Sequence, residues 1–172
     1  MTFHEDEHNP PEINLQFEQP PPTNITENHS LTSMKGIKEK VYHAWKTGTY
    51  PSPATKTLGI KILELSEGHS LVEMDVDERL HNMSSTMHGG VMADIADAAM
   101  GIAISTTISQ EEDFTTMEMK ISFFRPHIKG PLRAEGIVAK RGRRVAFAEA
   151  VLTNRNKEIV AKANGTWLFL TG

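Results

Sequence analysis

The sequence predicts an α+β fold in which one curved antiparallel sheet wraps around a single long helix. Residues 89–108 form a nearly all-apolar stretch of helical length. Residues 70–77 alternate apolar and polar side chains, which is typical of a strand with one buried face. Four further strand-like segments follow the apolar stretch, and short turns join the last three into a meander. Because a helix that is apolar on nearly every side must be surrounded by protein, we expect the sheet to enclose it.

The chain begins with an acidic, proline-rich segment. Residues 1–33 hold six acidic residues and no Lys or Arg, and they contain few large apolar side chains. Such a segment cannot bury enough apolar surface to offset its ordering entropy, so we predict a disordered tail over 1–33. The tail lacks the basic start and apolar centre of a secretory signal, which favours a cytoplasmic location without excluding an organelle.

A helix and a linker are predicted next, over residues 34–50. The helix covers 34–47, with Ser33 as its N-cap and Gly48 as its end. The main domain is predicted over 51–172, and its first residues, 51–56, read as a proline-broken connection. The predicted strands cover residues 57–65, 70–77, 114–124, 131–140, 143–153 and 157–170.

Composition excludes several classes of protein. The chain has no cysteine, which excludes disulfides, thiolate zinc sites and a cysteine nucleophile. No apolar run reaches the ~18 residues of a transmembrane helix, so no membrane partner is expected. Beyond the tail, 16 acidic residues face 18 basic ones, which argues against a broad nucleic-acid surface. A local phosphate-binding cluster remains compatible with this balance.

The tripeptide His88-Gly89-Gly90 ends a loop and opens the long helix. The first N–H groups of a helix have no intrahelical partner, and the helix dipole adds positive potential there. Glycine lets a ligand approach this backbone closely, so the site suits an oxyanion or a phosphate. A tight turn that needs glycine for steric reasons alone is the alternative.

Two carboxylates, Asp94 and Asp97, lie within the apolar helix. A desolvated carboxylate has a raised pKa and gains basicity, as a general base or a nucleophile requires. A structural role is the alternative for both carboxylates, and we favour it for Asp94. Asn82, six residues before His88, could orient a water molecule or polarise a carbonyl.

Together these residues resemble the hotdog-fold thioesterases of the phenylacetate-pathway (PaaI-like) type. That family shows N-x-x-G-x-x-H-G-G, then a carboxylate seven residues beyond the second Gly, in a helix that ends D-x-A-x-G-x-A. Ser85 departs from this pattern, since the family usually has Gly there. The later matches are Thr116 nine residues before Arg125-Pro126, the basic run 140–144, and the closing strand 161–167. The central matches are Asn82, His88, Gly89, Gly90, Asp97, Ala99, Gly101 and Ala103.

The resemblance implies a hotdog fold that assembles into a homodimer or homotetramer, with the active site at the subunit interface. Asn82, His88 and Gly89 would come from one chain, and Asp97 and Thr116 from the other. The implied reaction is hydrolysis of a fatty or aromatic acyl-CoA to a free acid and CoA.

The resemblance also implies a role for each site residue. The Gly89 N–H stabilises the oxyanion, and His88 positions or polarises the carbonyl. Asp97 acts as general base or as nucleophile, and both roles stay open. Asn82 and Thr116 orient the attacking water. Neither a metal nor a cofactor is expected, and CoA enters only as part of the substrate. The residues expected to bind the substrate and its CoA phosphates are Gly90, Arg125, Lys129, Arg141, Arg143 and Arg144, with Lys140 beside them.

Two other functions remain open at this stage. A hotdog hydratase or dehydratase is the nearest enzymatic alternative, but no Pro-Gly-rich loop occurs near His88. A non-catalytic acyl-CoA sensor is the alternative from another class. Known sensors carry a helix-turn-helix in front of the hotdog domain, and residues 34–47 supply one helix only.

Overall fold

The computed structural model describes residues 37–170, so the predicted tail, Ser33 and the first turn of the predicted helix over 34–47 lie outside the described residues. The described elements are α1 (Ile37–Thr47), α2 (Pro53–Leu58), β1 (Lys61–Ser66), β2 (His69–Val76), α3 (Gly89–Ser105), β3 (Asp113–Phe123), β4 (Gly130–Arg141), β5 (Val145–Asn154) and β6 (Ile159–Leu170). The strands form one antiparallel sheet in the order β1-β2-β4-β5-β6-β3. The predicted α+β architecture and the β4-β5-β6 meander are confirmed.

Helix α3 crosses the middle of the sheet and touches the backbone of β4 almost directly. A Cβ atom added to Gly136 would lie 2.5 Å from the Ala99 carbonyl carbon and oxygen. Ser70 pairs with Gly136 across β2 and β4, and its buried hydroxyl donates a hydrogen bond to the Ala99 carbonyl oxygen at 2.7 Å. Only very small side chains allow this approach, so the Ser70–Gly136 pair determines how closely α3 lies on the sheet.

The inner face of the sheet carries small side chains beneath α3 and larger ones around it. Ala146, Ala148 and Ala150 alternate along β5 and are all buried. The largest fully buried side chains include Trp167, Ile95, Met100, Ile104, Leu132 and Leu152. The small residues thus allow the helix to lie close to the sheet, while the larger ones fill the space on either side of it.

The predicted boundary between the connection over 51–56 and the strand over 57–65 is wrong. Residues Pro53–Leu58 form the short helix α2, and β1 begins only at Lys61. Ser52 caps α2 by accepting a hydrogen bond from the Thr55 N–H, and Pro53 occupies the first turn, where a missing N–H does no harm. Gly59 ends the helix with a left-handed φ of 73°.

The sequence led us to expect protein around every side of α3. Within a single chain, one side of the helix is left uncovered. Gly90 and Asp94 are exposed, and Asp97, Ala98 and Gly101 are only half-buried. These five residues recur at helical spacing and form one face of α3, which we call the open face. The helix also ends at Ser105 rather than at residue 108, and Thr106 caps it.

The two edges of the sheet differ. At the β1 edge, α1 packs against β1, and the Trp45 indole N–H donates to the Leu63 carbonyl oxygen at 3.3 Å. The β3 edge is eleven residues long and has no covering element among residues 37–170. An uncovered edge strand of this length is a template for pairing with another strand.

Among residues 37–170, no helix is long and apolar enough to cross a membrane.

Candidate active site

His88 caps the helix whose first residues the sequence marks as an anion site. The His88 Nδ1 atom accepts a hydrogen bond from the Gly90 N–H at 2.9 Å. An accepting Nδ1 places the proton of the neutral ring on Nε2, which leaves the exposed side of the imidazole as a donor. The Gly90 N–H, predicted to bind substrate, is therefore used within the chain. The Gly89 N–H has no partner among residues 37–170 and stays available to a ligand.

The loop before α3 is a tight turn built on Asn82. The Asn82 Oδ1 atom accepts a hydrogen bond from the Ser84 N–H at 2.8 Å, and the Asn82 N–H donates to the Thr86 carbonyl oxygen at 2.8 Å. Ser85 adopts a left-handed φ of 57°, a conformation that favours glycine. The family's glycine at this position therefore has a conformational reason, and this chain keeps the turn with a serine.

A groove of about 420 Å³ opens beside the start of α3. Gly89 and Asn82 lie at its polar end, and Met87, Met92 and Phe124 supply apolar walls. Phe123 lies directly against the helix start, since a Cβ atom added to Gly89 would come within 3.2 Å of the ring. The groove therefore joins an unpaired backbone N–H to an apolar surface, which suits the carbonyl and the acyl group of a thioester.

Asp97 lies two turns further along α3, on the open face, where it meets Thr116 of the same chain. The Thr116 hydroxyl donates a hydrogen bond to Asp97 Oδ1 at 3.1 Å. A β-bulge at Met117 interrupts the pairing of β3 with β6 beside Thr116. Met119 and Ile121 pack on the side of β3 that faces α3. Thr116 lies at an odd spacing from both, so a regular strand would place it on the opposite side. The bulge adds one residue and turns Thr116 towards α3 as well.

The electrostatics of Asp97 fit a basic carboxylate. Partial burial raises the pKa of the Asp97 carboxyl above its ordinary value, and the neighbouring Asp94 carboxylate adds to this increase. The hydrogen bond from Thr116 lowers the pKa and offsets part of the change. Desolvation thus strengthens Asp97 as a base, while the Thr116 hydroxyl favours the ionised form of the carboxylate.

Within one chain, the two groups of predicted site residues stay apart. Gly89 and Asp97 are eight residues apart on one helix, a rise of roughly 12 Å. Asn82, His88 and Gly89 gather at the start of α3, while Asp97 and Thr116 form a separate pair. Among residues 37–170, no three His, Asp or Glu side chains are arranged to hold a metal ion.

The predicted CoA-binding residues lie at opposite ends of the sheet. Arg125 and Lys129 lie in the loop between β3 and β4, and Arg125 forms an ion pair with Glu158 at 2.8 Å. Arg141, Arg143 and Arg144 lie at the other end, around the turn between β4 and β5. Arg141 forms an ion pair with Glu112 at 3.0 Å and lies 4.1 Å above the Phe169 ring. Arg125 and Arg141 therefore also have structural roles.

Sequence reasoning missed the aromatic and capping contributions to the site. Phe123 and Phe124 precede Arg125, but nothing in the local pattern shows that Phe123 packs on Gly89. Histidine is not among the preferred N-cap residues, so the cap formed by His88 also had no sequence signal.

The chain is similar to known proteins in sequence. The model of the thioesterase superfamily matches residues 84–161. A protein of Saccharolobus solfataricus, named provisionally as an esterase, is 32% identical over 115 residues, which are 67% of this chain and 81% of that protein. The acyl-coenzyme A thioesterase PaaI of Escherichia coli is 29% identical over 128 residues, which are 72% of this chain and 89% of PaaI.

The fold is also similar to solved structures. The Escherichia coli PaaI structure superposes with a TM-score of 0.69, at 25% identity, over 80% of this chain and 98% of PaaI. A thioesterase family protein from Silicibacter pomeroyi superposes with a TM-score of 0.70, at 26% identity, over 80% of this chain and all of that protein. The chain therefore belongs to the thioesterase superfamily, as a hotdog-fold thioester hydrolase of the PaaI-like kind.

Proposed function

We propose that this protein hydrolyses acyl-CoA thioesters with Asp97 as the catalytic carboxylate. One observation carries the proposal: a half-buried carboxylate on the open face of α3, with a raised pKa, is held by the Thr116 hydroxyl. The acyl-CoA thioesterase PaaI among the relatives supports the substrate class.

The active site is shared between two chains. The uncovered β3 edge and the open face of α3 lie on the same side of the domain, because Thr116 on β3 contacts Asp97 on α3. Two β3 strands that pair antiparallel about a two-fold axis between Met119 and Lys120 bring Thr116 opposite Phe123 of the partner subunit. Phe123 lies on Gly89. This pairing therefore brings the carboxylate of one chain to the helix start of the other.

The chemistry follows from these positions. The Gly89 N–H and the α3 dipole stabilise the negative charge that develops on the thioester carbonyl oxygen. The His88 Nε2–H donor polarises or positions the same carbonyl. Asp97 either takes a proton from water as the water oxygen bonds to the carbonyl carbon, or attacks that carbon itself through an anhydride. In both cases the C–S bond breaks, CoA leaves, and the free acid is released after water is added.

The groove beside Gly89 selects an apolar acyl group. Its walls of Met87, Met92, Phe123 and Phe124 suit a fatty chain or an aromatic ring, and methionine side chains adapt to either shape. CoA phosphates bind to basic residues from both chains. When two β3 strands pair antiparallel, the end of one sheet that carries the β3–β4 loop lies beside the end of the partner's sheet that carries the β4–β5 turn. These residues are Arg125, Lys129, Arg141, Arg143 and Arg144.

A substitution at Asp97 tests the proposal directly. We expect Asp97→Asn to lower kcat for acyl-CoA hydrolysis by about 10²–10⁴-fold, the usual contribution of a catalytic acid–base group. The assay uses a panel of short, long and aromatic acyl-CoA thioesters and follows thiol release.

Asp94→Asn is the matched control, because Asp94 is a carboxylate on the same helix but is exposed. This variant should keep kcat within a few-fold of the wild type. Full activity of Asp97→Asn would overturn the assignment of the carboxylate. Tight binding of acyl-CoA without turnover in the wild type would instead favour the non-catalytic sensor.

A further inference from the structure

The turn between β4 and β5 carries a concentrated positive charge. We call Lys140, Arg141, Arg143 and Arg144 the basic turn; all four residues are exposed. Arg141 is held by its ion pair and its contact with an aromatic ring, as described above. The other three have no ion-pair partner within residues 37–170. The basic turn therefore presents three unpaired cations on a rigid support.

Hydrogen bonds connect the start of α1 to the basic turn. The Lys38 ammonium donates to the Ile108 carbonyl oxygen at 2.9 Å. The next residue, Ser109, donates its N–H to Glu112 Oε2 at 2.8 Å. The other oxygen of Glu112 accepts a hydrogen bond from Arg141 at 3.0 Å. The chain that precedes residue 37 thus joins the domain at the same end of the sheet as the basic turn.

That preceding chain has the opposite charge. Residues 1–33, the acidic segment, hold six of the 22 acidic residues in the protein and none of its 18 basic residues. We propose that the acidic segment docks on the basic turn and competes there with the phosphates of acyl-CoA. The competition rests on the proposed function, because it requires CoA phosphates to bind at the basic turn.

Reach and tethering both favour this contact. Glu27 is ten residues before Ile37, and ten residues span at most roughly 35 Å when extended. A ligand tethered on a short linker reaches an effective concentration in the millimolar range, so weak contacts can be populated. Exposed ion pairs are individually weak and are screened by salt, so we expect a moderate, salt-dependent effect rather than a tight lock.

Carbodiimide cross-linking of the full chain tests the docking itself. The reagent joins a carboxylate to a lysine amine in contact with it, and Lys140 is the one lysine of the basic turn. We expect peptides of the acidic segment linked to Lys140 at low salt and not at 1 M NaCl. Lys129 and Lys157, at the opposite end of the sheet, are the internal controls. Equal linking of these controls, or no link to Lys140, would overturn the docking.

Kinetics of a charge-neutral segment test the competition. In the full chain, the six acidic residues are changed to amides, as E5Q, D6N, E7Q, E12Q, E18Q and E27Q. We expect the KM for acyl-CoA to fall about three- to tenfold with kcat unchanged. The KM for the same acyl group on N-acetylcysteamine, which lacks phosphates, should not change. An unchanged KM for acyl-CoA at low salt would contradict the competition.

A second pair of variants separates this inference from the proposed function. Arg143→Gln with Arg144→Gln should raise the KM for acyl-CoA but not for the N-acetylcysteamine thioester. If this increase occurs while the charge-neutral segment has no effect, the docking is wrong and the CoA site stands. If the cross-link to Lys140 forms but the arginine variants leave both KM values unchanged, the basic turn does not bind CoA and the competition is wrong.

Discussion

At the scale of single residues, opposing environments act on the pKa of Asp97. Burial and the nearby Asp94 raise its pKa, and the Thr116 hydroxyl lowers it. A catalytic base works only in its ionised form, so activity should fall as the pH falls through the pKa of Asp97. In the proposed mechanism, the balance between these effects on the pKa of Asp97 sets the acidic limb of the pH–activity profile.

We expect Thr116→Val to move the acidic limb of the kcat/KM profile to higher pH. The substitution removes the hydrogen bond that stabilises the charged carboxylate, so the pKa of Asp97 increases further. On the alkaline plateau, kcat should change by less than about tenfold, since the carboxylate itself remains. Thr115→Val is the control, because Thr115 points to the other face of β3. An unshifted limb in Thr116→Val would show that this hydrogen bond does not tune the base.

Ser85 offers a second residue-scale prediction. Its left-handed φ of 57° costs about 1 kcal/mol for a residue with a side chain, so Ser85→Gly should raise the free energy of unfolding by about that amount. Ser84→Gly, one residue earlier and without a positive φ, should instead lower it by about 0.5–1 kcal/mol. Urea unfolding measures both. Equal effects of the two substitutions would show that Ser85 is not strained.

The contacts within the site were harder to predict than its members. The resemblance supplied Asn82, His88, Gly89, Asp97 and Thr116 by motif spacing. It could not supply the bond between Thr116 and Asp97, because a contact across 19 residues depends on strand register. The use of the Gly90 N–H by His88 was also invisible, since it depends on one ring orientation at the start of α3.

At the scale of elements, the regular patterns were predicted and the irregular ones were not. The alternation in β2 and the long apolar run of α3 identify both elements, because burial imposes periods of two and 3.6 residues. Helix α2 has only six residues, and caps at Ser52 and Gly59 define it rather than periodicity. The proline that starts it was read as a helix breaker.

The bulge in β3 is a second irregularity with consequences for the site. Phe114 and Met119 both pack towards α3, although they are five positions apart in the sequence. Strict alternation would place two residues at an odd spacing on opposite faces, so one extra residue must lie between them. The extra residue is Met117. The odd spacing between the apolar residues Phe114 and Met119 is the sequence feature that could have predicted the bulge.

The contact between α3 and β4 leads to a prediction for this pair of elements. Gly136→Ala would place a methyl group 2.5 Å from the Ala99 backbone, where neither element can yield easily. We expect the free energy of unfolding, measured with urea, to fall by about 3 kcal/mol. Gly101→Ala is the control, because among residues 37–170 of the same chain its new methyl group would meet only the Phe114 ring, at 3.8 Å. Similar losses in both variants would contradict a close approach specific to Gly136.

At the scale of the whole molecule, one chain presents two incomplete halves of a site. In the proposed mechanism the helix start supplies oxyanion stabilisation and Asp97 with Thr116 supplies the base, but roughly 12 Å of helix separates the two groups. In the proposed shared site, a second chain completes both halves on the side that carries the open face of α3 and the uncovered β3 edge. Sequence alone suggested an enclosed helix, because it does not show whether the enclosing protein belongs to the same chain.

Subunit complementation is the most direct test of this shared site. In the proposed shared site, we expect Asp97→Asn and His88→Ala each to inactivate both sites of a homodimer, whereas a heterodimer of the two variants contains one site with both residues intact. Two different affinity tags allow the co-expressed heterodimer to be purified, and its kcat is compared with those of the wild type and of each variant homodimer. We predict about half of the wild-type activity, and activity no higher than that of the two homodimers would contradict a site shared between chains.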